Sequence, residues 1–143
     1  TNSLEPWKFG KIRKISKGKK ICFIGHGPIL KKLININIEL KKFNLCASIY
    51  EAHTLKPFDY KRIKNIFKNY THIFSIEDHS VIGGLQSLLK ESAYELKFKG
   101  VYQGFSLKDQ FIKSYGSQDD LLKMHGLSED NIYKSIKKKL KIK

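Results

Sequence analysis

Six residues have the types and spacing that chemistry would need. His26 sits between two glycines in Gly25-His26-Gly27-Pro28, just after an apolar run. Glu77, Asp78 and His79 are consecutive after a second apolar run, and Gly83 and Gly84 follow closely. Neighbouring like charges push carboxylate pKa values apart, so Glu77 and Asp78 beside His79 form a candidate acid–base cluster. A strand that turns into a helix at Gly25-His26-Gly27 can aim backbone N–H groups at an anion. Each pattern also has a plainer meaning. Without a longer glycine-rich signature, Gly-His-Gly describes a tight strand-to-helix turn. The Glu77–His79 triplet suits hydrogen bonds that anchor a domain against its neighbour, and Gly83-Gly84 lets one backbone pass close to another. The plainer meaning is favoured for all three, so these residues form a candidate interface or substrate edge, with no catalytic, cofactor-binding or metal residue assigned.

Other reactive side chains lack partners at useful spacing. His53 and His125 read as loop and helix-end histidines, neither at metal-ligand spacing. Cys22 and Cys46 lie in apolar runs, where a free thiol behaves as a small hydrophobe. No nucleophile elbow and no Ser/His/Asp or Cys/His arrangement is recognisable.

The elements that must position these residues alternate between short apolar runs and helical stripes, the pattern of βαβ units on a mostly parallel sheet. Lys20 to Ile24 is apolar on successive residues, as expected of a strand covered on both faces. Pro28 suits the first turn of the next helix, whose stripe is Ile29, Leu33, Ile36, Leu40 and Phe43. A second strand over Leu45 to Tyr50 leads through Thr54-Leu55-Lys56-Pro57-Phe58 to Asp59, placed to cap a helix with the stripe Ile63, Ile66, Phe67 and Tyr70. A third strand, Thr71 to Ile76, precedes the acidic triplet and a helix from about Gly83, with Leu85, Leu88, Leu89 and Leu96 inward. A short strand over Gly100 to Phe105 follows. Ser117 and Ser128 then cap two helices with acids in their first turns, and Lys137, Lys138 and Lys139 favour the last helix's C-terminal end. Phe9 to Ser16 reads as an edge strand. The expected architecture is a single three-layer α/β/α domain.

A chain of 143 residues with 41% hydrophobic residues is about one domain long. No uncharged apolar run approaches the roughly 20 residues of a membrane helix, and the basic N-terminus lacks a signal-peptide core. A reduced cytoplasmic protein is the simplest expectation. The net charge of +15 invites a nucleic-acid partner. However, Arg13 and Arg62 are the only arginines, so 26 of the 28 basic residues are lysines. Bidentate phosphate and base recognition favours arginine. The lysines concentrate only at Lys17-Gly18-Lys19-Lys20 and Lys137-Lys138-Lys139, and a solvated surface is favoured over a polyanion site.

Four segments, in order, resemble the C-terminal domain shared by transketolase, 1-deoxyxylulose-5-phosphate synthase and the β subunit of 2-oxo-acid dehydrogenases. They are Phe9-Gly10-Lys11 through Gly25-His26-Gly27; Thr54-Leu55-Lys56-Pro57-Phe58-Asp59; Phe74-Ser75-Ile76-Glu77-Asp78-His79 through Gly83-Gly84-Leu85; and Gly104-Phe105 through Asp109-Gln110-Phe111, Tyr115-Gly116-Ser117, Leu121-Leu122 and Gly126-Leu127. Asp78 stands where the family more often has a second Glu, and Lys19 where it often has Asp, so the subfamily is less defined than the fold. The resemblance implies a five-stranded mixed sheet with one antiparallel edge strand. It also implies adjacent strands ending at Gly25 and Ile76, whose helices leave to opposite faces. That is a topological switch point, where His26 would meet Glu77, Asp78 and His79.

The implied function is a part of thiamine-diphosphate-dependent transfer of a two-carbon ketol unit between sugar phosphates. Thiamine diphosphate and Mg belong to the complete enzyme, on preceding domains or a partner subunit, and none is expected to be bound by this domain. A homodimer of the complete enzyme and a sugar phosphate substrate are the implied partners. Residues 1–8 read as an interdomain linker and 9–143 as the domain. Transketolase-like chemistry comes first, the deoxyxylulose-phosphate synthase second, and the dehydrogenase β subunit third. A non-catalytic binding module on the same fold is the alternative of a different class.

Overall fold

A computed structural model describes residues 4–80, 82–108 and 116–143. Thr1, Asn2, Ser3, Val81, Asp109, Gln110, Phe111 and Tyr115, which take part in the segments above, lie outside the described residues. The chain runs β1 (Arg13–Ser16), β2 (Ile21–His26), α1 (Leu30–Leu40), β3 (Ser48–Glu51), α2 (Tyr60–Asn69), β4 (His72–Ser80), α3 (Leu85–Glu95), β5 (Val101–Leu107), α4 (Gln118–Met124) and α5 (Glu129–Leu140). The five strands lie in the order β1-β3-β2-β4-β5. The β3–β2, β2–β4 and β4–β5 pairs are parallel, and β1 runs antiparallel to β3 at the edge.

Side chains on a strand alternate between faces, so a strand that is apolar on every residue needs cover on both. On one face Phe23, Ile49, Phe74 and Ile76 meet Leu33 and Ile36 of α1 and Ile132 and Ile136 of α5. On the other, Cys22, Ile24, Tyr50 and Ile73 meet Ile63 and Ile66 of α2 and Leu85 and Leu89 of α3. The three expected layers are therefore present, and α1 and α3 leave to opposite sides of the β2–β4 pair. Phe23 and Phe74 pack edge to face with centroids 5.9 Å apart, and burying a ring of that size stabilises the fold by about 2–3 kcal/mol.

The expected caps form. Asp59 accepts from the Arg62 N–H, Ser117 from Asp120 and Ser128 from Asn131. Ser117 and Asp120 complete a reciprocal capping box. The boundaries of several elements differ from the sequence reading. Pro28 lies in a tight turn ahead of α1 rather than in its first turn; the Leu30 N–H bonds to Gly27 O and the Lys31 N–H to Pro28 O. Phe43 leaves the buried stripe because a 3₁₀ turn (Lys41–Phe43) ends at left-handed Asn44 and swings it outward. Asn37 is buried instead, its side chain accepting from Ala47 N–H and donating to Ala47 O where β3 has not yet begun. β3 accordingly starts at Ser48 rather than Leu45. β4 continues past Ile76 to Ser80, so Glu77, Asp78 and His79 belong to a strand rather than to a connection. Leu96 caps α3 and is 38% exposed rather than buried.

Residues 4–8 are tied to the domain. The Glu5 carboxylate accepts from Lys14 N–H (2.9 Å) and Arg62 Nη2 (2.6 Å), and the Glu5 N–H donates to Lys14 O. No described helix is long and apolar enough to cross a membrane.

Candidate functional site

The parallel β2–β4 register sets His26 directly opposite Glu77. The two strands carrying the candidate residues are thus neighbours, at the carboxyl end of the sheet where their helices diverge. Gly25 makes the departure of α1 possible. A Cβ there would lie 2.3 Å from Leu30 Cδ1, so only glycine lets the first apolar residue of α1 fold back onto the strand end. His26 Nδ1 lies 2.5 Å from Ala52 O, just beyond β3. A carbonyl only accepts, so Nδ1 carries the proton of this hydrogen bond.

Glu77 is 1% exposed. Its Oε2 accepts from Leu85 N–H (2.6 Å) and its Oε1 from Gln86 N–H (2.9 Å), the first two donors of α3. A buried carboxylate is tolerated only with such partners, and the positive end of a helix dipole adds to their effect. α3 has no capping side chain of its own; the N-cap position is Gly84. Glu77, eight residues earlier, performs that role across space. The Gly83-Gly84 pair fits the same purpose. Gly83 adopts a left-handed φ of +78°, and a Cβ on Gly84 would come 2.4 Å from Glu77 Oε2 and 2.9 Å from His79 Nδ1.

Asp78 diverges from Glu77 and His79, since alternate strand residues face opposite ways. Asp78 is exposed and accepts from Gln118 Nε2 at 2.6 Å, joining the end of β4 to the start of α4. His79 is exposed beside Gly84. Thus the structure brings Glu77, His79 and the glycine pair together beside His26, while Asp78 turns away to Gln118.

Sequence reasoning missed several supports of this edge. Gln86 is buried, and the Ser106 hydroxyl donates to its Oε1. Gly104 admits the Gln86 side chain, whose Cδ would lie 2.4 Å from a Cβ at that position. A glycine inside a strand is the available signal for such an approach. The Tyr102 hydroxyl, 2.7 Å from Ser75 Oγ, has its pKa raised, chiefly by burial and further by the Glu77 charge, although the Ser75 contact opposes this. His125 caps α4 and accepts at Nδ1 from Lys108 N–H (2.9 Å), closing a 360 Å³ hollow beside β5. Asp59 has a second task, its Oδ2 accepting from buried Ile12 N–H at 3.1 Å to hold the lead into β1. The Thr54 hydroxyl accepts from Gly10 N–H. The Thr54-to-Asp59 loop therefore acts as a clamp on the N-terminal segment.

These residues do not fit a diphosphate–metal site. Both oxygens of the buried carboxylate are engaged by backbone donors, and the described residues contain no group of three or more His, Cys, Asp or Glu able to hold a metal.

Residues 10–132 match the model of the transketolase C-terminal domain family. The chain belongs to that family. Among curated relatives it is 30% identical over 129 residues to a 1-deoxy-D-xylulose-5-phosphate synthase of Clostridium beijerinckii, covering 90% of this chain and 21% of that protein. It is 29% identical over 122 residues to the enzyme of the same name from Chlamydia felis, covering 85% and 19%. The chain thus spans about a fifth of the length of these relatives. Among solved structures, a split-gene transketolase described as an inactive β4 tetramer superposes with a TM-score of 0.81 at 23% identity, over 96% of this chain and 44% of that one. The transketolase of Campylobacter jejuni gives 0.60 at 13% identity, over 89% and 18%. At such identities the superpositions show a shared fold, including the five-stranded mixed sheet.

Proposed function

We propose that this chain is the C-terminal domain of a thiamine-diphosphate-dependent enzyme that transfers two-carbon units, serving assembly and bordering the substrate channel without holding the cofactor. One observation carries the reading within this family: the buried acid at the switch point holds the first turn of α3. Each of its oxygens accepts from a backbone N–H of α3. Asp78, His79 and the outer side of His26 are left as the polar surface of that edge, suited to a neighbouring domain. The thiamine-binding domains, or a subunit carrying them, are the partner; a homodimer of the complete enzyme acts on a sugar phosphate in the cytoplasm. Residues 1–8 lead in from the preceding domain. Calorimetry of this chain with thiamine diphosphate and Mg²⁺ is expected to show no binding at micromolar concentrations. Tight binding would refute the reading.

A specific observation favours the deoxyxylulose-phosphate synthase as the second reading. Curated relatives at 26–30% identity carry that name, whereas the superposed transketolases are under 25% identical. The complete enzyme's turnover of pyruvate plus glyceraldehyde 3-phosphate, against xylulose 5-phosphate plus ribose 5-phosphate, separates the two.

A further inference from the structure

The two lysine concentrations stand at opposite ends of the sequence, and neither contributes to the switch-point edge. The fold brings both to the other end of the sheet. A cavity of about 850 Å³ opens there. Its walls are the turn between β1 and β2, the residues before β3, the start of β4, and Leu140 at the end of α5, directly after Lys137-Lys138-Lys139. A volume of this size falls in the range of small-molecule sites, about 300–1,000 Å³.

The basic turn is a built part of that wall. Gly18 N–H donates to Ser48 Oγ (2.8 Å), the Ser48 hydroxyl donates back to Gly18 O (3.2 Å), and Lys19 N–H donates to Cys46 O (3.0 Å). A Cβ on Gly18 would lie 2.1 Å from Cys46 O, so the turn is seated as closely as glycine allows. Lys20 takes a left-handed φ of +62°, unusual for a residue with a side chain, and its carbonyl accepts from both Thr71 N–H and His72 N–H. Three lysines therefore project from a backbone pinned to β3 and β4.

The lining also includes the apolar side chains of Ile15, Leu45 and Leu140. Among the described residues, no Asp or Glu lines the cavity. Ser16, on the same wall, has a buried hydroxyl oxygen with no hydrogen-bond partner among the described residues. Such an atom costs free energy unless a ligand or water meets it. Burial, and then the charge of Lys141, holds the His72 pKa below its usual value, so the cavity's positive charge at neutral pH comes from lysines.

We propose that this cavity is a binding site for a small amphiphilic anion, its apolar body against Ile15, Leu45 and Leu140 and its phosphate or carboxylate head at Lys17, Lys19 and Lys20. Lysine binds such a head as a point charge and does not need the arginine fork that the sequence lacks. A bare anion leaves the apolar wall wet, and a neutral amphiphile leaves the lysines unmatched, so the site discriminates against both. The site is independent of the thiamine reading.

The protein carries its own reporter. Cys46 is half-buried on the cavity wall, whereas Cys22, the other cysteine, is fully buried. Alkylation of Cys46 in the complete chain is followed by mass spectrometry with octyl phosphate, inorganic phosphate, octyl glucoside or phosphatidylglycerol vesicles. Octyl phosphate at about ten times its dissociation constant is expected to slow alkylation about tenfold, saturably, since only the open fraction reacts. Inorganic phosphate, octyl glucoside and vesicles at matched concentrations should change it by less than about twofold. Lys17→Glu with Lys19→Glu should abolish protection, and Leu140→Gln should weaken it independently through the apolar wall. The proposal is overturned by equal protection from inorganic phosphate or octyl glucoside, by protection from vesicles alone, or by none. Protection that survives both sets of substitutions overturns it too.

Discussion

At the carboxyl end of the sheet, Glu77 is buried with both oxygens satisfied by α3, Asp78 is tied to Gln118, and His26 donates to Ala52 O. At the amino end, a glycine-seated turn presents three lysines to a cavity in which a buried serine oxygen has no partner among the described residues. Both ends use glycine to bring backbone close, at Gly84 and at Gly18. They differ in what that closeness achieves. Gly84 closes on the buried Glu77 carboxylate, while Gly18 seats a turn whose lysines line the cavity. Of the residues that look most catalytic in the sequence, Glu77 is therefore held by backbone donors, and a basic stretch that reads as ordinary surface lines a cavity of about 850 Å³.

The comparison breaks most readily at Glu77. Glu77→Ala leaves the Leu85 and Gln86 donors buried without an acceptor and should lower unfolding free energy by about 3 kcal/mol in urea titrations. Glu77→Gln, which retains one acceptor oxygen, should recover about half of that. A full recovery by Gln would mean that the charge at the helix terminus contributes little. Gly18→Ala should cost about 2 kcal/mol, because the new methyl overlaps the Cys46 carbonyl and the turn must shift. It should also raise the Cys46 alkylation rate, a readout the Glu77 variants leave unchanged. Equal alkylation in both variants would mean that the two ends do not behave separately.

A smaller, pH-dependent effect belongs to the amino end. His72 has a folded pKa below its ordinary 6.5, with burial the main cause and Lys141 second. The unfolded chain therefore takes up the proton first as pH falls. The stability linked to this histidine is fully present above about pH 6.5 and declines as pH drops from there through the folded value. His72→Gln should flatten that part of a melting-temperature profile. Smallest of all, Gln118→Ala removes an exposed partner of Asp78 and should change stability by no more than about 0.5 kcal/mol. By contrast, His79→Ala should weaken association of the complete enzyme if this edge faces a neighbouring domain, as sedimentation velocity would show.

Much of the fold was legible in the residues. Successive apolar positions over Ile21 to Ile24 announce a strand covered on both faces, and Asp59, Ser117 and Ser128 announce helix starts, because capping acts over three residues. The adjacency of β2 and β4 was reached through family resemblance rather than from spacing. Local pattern failed where distant contacts override it. Phe43 belongs to the helical repeat of α1, yet left-handed Asn44 ends the helix before that residue can be buried. Glu77, Asp78 and His79 look like a polar connection, but pairing with β2 and β5 extends β4 through them. The role of Glu77 was hidden for the same reason: its partners are eight and nine residues away and meet it only because α3 turns back over the strand.

Residues 77–79 thus lie at the end of β4, with Glu77 engaged by α3 and Asp78 by Gln118. Apolar periodicity, caps and glycine positions, properties of near neighbours, determined the elements, their order along the chain and the faces they bury. Which polar groups would be consumed and which left open was decided only by the packed sheet. Hydrogen-bond satisfaction depends on atoms that lie far apart in the chain, and only the packed fold brings Glu77 to the N-terminus of α3 and the Lys17–Lys20 turn to one cavity with Leu140 of α5.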